Sequence, residues 1–141
     1  MNAYLLDTSA LWYLFRTPGA LGPWEAFIGA GAFRLAEPTR AEFLFSAKSP
    51  RHRDELADAI DTLCGRADTP KGAWRWVDTA QYRLTQQGQH RSAGALDLLV
   101  CATAVHHDLT VLHMDNDFAA VAGVLKEVRQ QDVRAAAPGG G

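Results

Sequence analysis

Short apolar runs alternate along this chain with helical stretches, and no other feature constrains its fold as tightly. Residues 3–6 (AYLL), 33–36 (FRLA) and 109–114 (LTVLHM) have strand length and are bounded by polar residues or glycine. A last strand is expected near residues 126–129. Between them, residues 8–15, 24–28, 40–48 and 73–88 read as helices, and so do the segments that open at Ala95 and at Asp115. After Ser49-Pro50, Leu56, Ile60 and Leu63 fall at i, i+4 and i+7 and form one apolar stripe. The stretch GRADTPKG reads as a loop. Strands that alternate with helices predict an α/β sandwich around a mostly parallel sheet. A single domain is expected over residues 1–130, with residues 131–141 as a disordered tail. In such folds sites gather at the carboxyl ends of the strands, where strand order reverses. Acids that follow strands are therefore the residues to inspect.

Composition narrows the function classes. The net charge is -2, so the whole molecule does not attract nucleic acid, and a polyanion needs a local basic patch or a metal. The 2 cysteines, Cys64 and Cys101, are far apart, which excludes zinc-ribbon and thioredoxin readings. Cys101 lies in an apolar helical stretch and reads as a buried thiol. The start of the chain lacks a basic leader, and no apolar run reaches the ~18 residues a membrane span needs, so a cytoplasmic protein without membrane attachment is expected.

Four acids meet the positional test. Asp7 follows the first strand, Glu42 lies in the helix after the second, Asp97 starts the helix before the third, and Asp115 follows the third. Each has an ordinary explanation. Asp7 and Asp115 can cap helices, Thr39 and Glu42 fit a capping box, and Asp97 suits the first turn of a helix. Jointly, four carboxylates at one sheet edge repel one another unless a cation joins them. Oxygen-only ligands select Mg²⁺ or Mn²⁺. Such a site suits phosphodiester hydrolysis, because the ion lowers the pKa of water and neutralises phosphate charge. His106 and His107 sit near a helix end and read as solvent-facing or as partners of the helix C-terminus. Neither a serine-hydrolase elbow nor a Walker loop is present.

The segments LLDTSAL, PTRAEFLFSA and GALDLLVCATAVHHDLTVLHMDNDF, in that order, resemble PIN-domain ribonucleases, and most nearly the VapC toxins of bacterial toxin–antitoxin pairs. The resemblance runs from Tyr4 to about Val128. It implies a PIN-like α/β/α sandwich with about five mostly parallel strands and a Mg²⁺- or Mn²⁺-dependent RNA endonuclease. It puts the family's acidic quartet on Asp7, Glu42, Asp97 and Asp115, with Asp7, Asp97 and Asp115 on the metal and Glu42 on the attacking water. Ser9, or Thr8, takes the place of a small hydroxyl that holds a metal water, and Asp117 is a weaker acidic candidate. The implied partners are an RNA substrate, a small VapB-like antitoxin and a second copy of the chain.

An acidic pocket needs cations around it to hold RNA. Arg40, Lys48, Arg51 and Arg53 cluster around the helix after the second strand, and Arg91 lies in the loop before Asp97. Of these, Arg91 and Arg40 are the RNA-binding candidates. Two other readings compete. A HAD-type phosphatase wants a second Asp where Ser9 stands, which argues against it. A non-catalytic PIN-like binding module would use the same carboxylates to meet a basic protein partner.

Overall fold

The computed structural model describes residues 2–135. Five strands form one parallel sheet: β1 (Tyr4–Leu6), β2 (Phe33–Ala36), β3 (Gly65–Ala67), β4 (Thr110–His113) and β5 (Gln130–Asp132), in the order β3-β2-β1-β4-β5. Seven helices connect them: α1 (Thr8–Arg16), α2 (Glu25–Gly29), α3 (Glu37–Phe45), α4 (Pro50–Leu63), α5 (Ala73–Gln86), α6 (Ala95–His106) and α7 (Asn116–Val124). A 3-10 turn at Gly22–Trp24 precedes α2.

Side chains alternate across a strand, and the sheet uses this to build two cores. Tyr4 and Leu6 face one way and pack with Leu11, Phe27, Phe43 and Ile60 of α1 to α4. Leu5 and Val111 face the other way and pack with Val77, Leu99 and Phe118 of α5 to α7. Both faces of the sheet are thus covered, as a parallel sheet requires. Helix α6 is buried along nearly its whole length, from Leu98 to Ala104. That accounts for its unbroken apolar sequence, and it places Asp97 at the mouth of a buried helix.

Two expectations are corrected. Residues 65–67 form edge strand β3 and not loop. Only Ala67 of the three is buried, so the strand is held by pairing with β2 and leaves no apolar pattern in the sequence. The last strand lies at Gln130–Asp132 and not at 126–129, and Val133 beyond it is buried. The expected tail 131–141 therefore starts too early; its residues 136–141 lie outside the described residues.

From β1 the chain steps outward to β2 and β3, then returns to place β4 on the other side of β1. Strand order reverses there. The acids after β1 and β4 flank that reversal.

Candidate metal centre

Each acid is held by the local structure around it. Asp7 ends β1 in extended conformation and caps α1: its Oδ2 accepts the Ser9 N–H (3.2 Å) and the Ser9 hydroxyl (2.7 Å). The same Ser9 Oγ accepts the Met114 N–H at 2.9 Å, which ties the end of β1 to the end of β4. Asp115 ends that segment and caps α7 through the Asp117 N–H (2.9 Å). Asp97 lies in the first turn of α6. Glu42 projects from α3, where its Oε1 accepts the Thr8 hydroxyl at 2.6 Å.

Asp97, Asp115 and Asp117 each offer a carboxylate oxygen within 4.8 Å of the others. Asp7 adds to their field. Burial pushes the Asp97 carboxyl up to about 6, and the charges of Asp7 and Asp115 push the same way, with Asp117 a smaller contributor. Burial also raises Asp7, against the bonds from Ser9, and Glu42 raises it a little further. Asp7, Thr8, Glu42 and Asp97 line one small cleft. This is a donor set of oxygens alone whose charges repel, and it fits a hard divalent cation.

The expected residues fare differently. Asp97 and Asp115 meet as expected, and Asp117, the weaker candidate, joins them within 4.8 Å. Asp7 joins through its field and the shared cleft. The capping box is absent: α3 starts at Glu37 after Ala36, and Thr39 is buried, so Glu42 is free to bond Thr8. Ser9 gives its hydrogen to Asp7, so it braces the site where a hold on water was expected; Thr8 is the hydroxyl that orients Glu42. Arg40 forms a two-pronged pair with Asp61 (3.1 and 3.0 Å), so its guanidinium is already neutralised, and Arg66 joins Asp61 to Glu37 beside it. Arg91 is exposed in the loop before Asp97. His107 bonds the Asp68 carbonyl, at the end of α6 opposite Asp97, and the roomier groove of about 680 Å³ there brings together no acids of the cluster.

Sequence reasoning missed His113. It is buried at the end of β4, its Nδ1 accepts the Asp115 N–H (3.0 Å), and its Nε2 meets Gln130 Oε1 (2.6 Å). The signal that could have found it was a polar ring closing an apolar strand, since a buried polar group must find partners.

Comparison with known proteins agrees with this architecture. The PIN domain family matches residues 4–124. Ribonuclease VapC6 of Mycobacterium tuberculosis is 36% identical over 97 residues, spanning 69% of this chain and 76% of that protein. Ribonuclease VapC21 of the same organism is 32% identical over 124 residues, 88% of this chain and 89% of that protein. The DNA-bound VapBC structure from Salmonella typhimurium superposes with a TM-score of 0.75 at 15% identity, covering 94% of this chain and 99% of that one, which is a likeness of fold.

Proposed function

The chain belongs to the PIN-domain family, among the VapC ribonucleases, and from that premise we propose that it is an endoribonuclease toxin restrained by a cognate VapB-like antitoxin. The observation that carries the reading is the convergence of Asp97, Asp115 and Asp117 beside Asp7, where strand order reverses. No helix among the described residues is long and apolar enough to cross a membrane.

In this reading Asp97, Asp115 and Asp117 would hold a Mg²⁺ or Mn²⁺ ion, with Asp7 beside them. When bound, the ion neutralises phosphate charge and makes water a better nucleophile. The chain's own groups do the rest. Ser9 fixes the Asp7 carboxylate and the Met114 backbone with one hydroxyl, so the two sides of the site keep their spacing. Thr8 holds Glu42 through Oε1, which leaves Oε2 to orient water and take its proton. Arg91, exposed in the loop before Asp97, is the cation assigned to the RNA backbone.

The test is incubation of purified, partner-free protein with total RNA, beside Asp97→Ala, in Mg²⁺, Mn²⁺ or EDTA. Discrete products that need both metal and Asp97 are expected. Folded wild-type protein that cleaves nothing under any condition points instead to a binding module.

A further inference from the structure

We propose that His113 is the positioning residue of the acidic site, and that it sets Asp115 through one fixed tautomer of its ring. This rests on the metal reading above. A backbone N–H only donates, so His113 Nδ1, 3.0 Å from the Asp115 nitrogen, must be the bare, accepting nitrogen. The hydrogen of a neutral ring then sits on Nε2, where it donates to Gln130 Oε1 at 2.6 Å. Both ring nitrogens are thereby satisfied inside a residue only 3% exposed.

The ring is held on its other sides too. It lies against Phe118 of α7, with centroids 5.2 Å apart. The His113 carbonyl accepts the Val133 N–H at 2.7 Å, which closes the β4–β5 edge just past the pairing of His113 with Asp132. Orientation therefore passes from β5, through Gln130 and the imidazole, to the amide of Asp115. Ser9 takes the neighbouring Met114 N–H and Asp115 itself takes the Asp117 N–H. Consecutive amides of the turn thus hang from Ser9 and His113, and the two acids that follow are placed by that suspension. Groups that orient ligand-bearing residues in this way typically change metal affinity ~10–100-fold when removed.

Asparagine and glutamine separate the two halves of the ring. The oxygen of Asn stands near Nδ1 and can keep the Asp115 bond, while the amide nitrogen of Gln reaches the place of Nε2 and keeps only the Gln130 bond. Mn²⁺ binding by calorimetry should weaken about 10-fold or more in His113→Ala and His113→Gln, and return to within about 3-fold of wild type in His113→Asn. The KM for RNA should move less than kcat. Equal Mn²⁺ affinity in wild type and His113→Ala, or equal loss in His113→Asn and His113→Gln, overturns the proposal. A readout without metal stands beside these: long-range ¹⁵N–¹H spectra of the wild-type ring should show Nε2 protonated and Nδ1 bare. A proton on Nδ1 overturns the proposal even if every variant fails to fold. Wild-type protein that binds no Mn²⁺ refutes the metal reading by itself, and the tautomer still decides the place of His113.

Discussion

Asp97→Asn should stabilise the metal-free protein at neutral pH while abolishing its function. The Asp97 carboxyl stands at about 6 against an ordinary 3.8, through burial first and the neighbouring carboxylates second. A difference of about 2 pH units corresponds to roughly 3 kcal/mol, at about 1.36 kcal/mol for each. The group is half-buried, so solvent screening reduces this to about 1.5 kcal/mol. A carboxyl raised in the folded state binds its proton more tightly there than in the unfolded chain. Stability therefore falls as pH climbs from about 4 past about 6, and the whole penalty is present at about pH 7.5. Asn carries no charge and escapes it. For a chain of this length about 1.5 kcal/mol is about 5 °C in Tm. In EDTA the variant should melt about 5 °C above wild type at about pH 7.5, keep roughly half of that offset at about pH 5, and come nearly level with it only at about pH 3.5. Saturating Mn²⁺ should reverse the order, since a ligand at about 100 times its Kd adds about 2.7 kcal/mol to the protein that binds it. A variant that melts at or below wild type at neutral pH in EDTA, or an offset that does not change with pH, refutes the electrostatic reasoning.

Other perturbations test the remaining parts. Ser9→Ala strips a hydroxyl from both Asp7 and the Met114 amide, so it should cost about 1–3 kcal/mol in urea unfolding and depress cleavage as well. Arg91→Ala should weaken RNA binding and reduce its salt dependence by about one contact, while Arg40→Ala, whose partner is Asp61, should leave the salt slope unchanged; equal slopes for both would contradict the assignment. Burial pushes the thiols of Cys64 and Cys101 up to about 12, so neither should react with a thiol reagent until the protein unfolds; rapid labelling of native protein would show an opening that this packing does not provide.

What the sequence reveals depends on how locally each feature is encoded. β1 and β4 carry contiguous apolar residues, and α6 an unbroken apolar run, so their place in a covered parallel sheet is legible from residue order alone. β3 is not, because two of its three residues are exposed and its pairing partner lies some thirty positions earlier. The acids are legible from position: Asp7, Asp97 and Asp115 all stand at junctions of strand or helix. Their supports are not. Whether Ser9 holds water or braces Asp7 depends on Met114, which is distant in sequence and meets it only when β1 pairs with β4. His113 depends on β5 arriving with Gln130 in reach, and a strand with no buried residue gives little notice of its register. Arg40 shows the limit of reading basic clusters from sequence alone, since its partner Asp61 comes from a different helix.

If the acids at the strand-order reversal form one cation site, anomalous diffraction from crystals grown with Mn²⁺ shows it most directly. We expect a peak about 2.1–2.2 Å from oxygens of Asp97 and of Asp115 or Asp117, lost in Asp97→Ala. Crystals at saturating Mn²⁺ with no peak among these carboxylates would contradict the assignment of a metal centre.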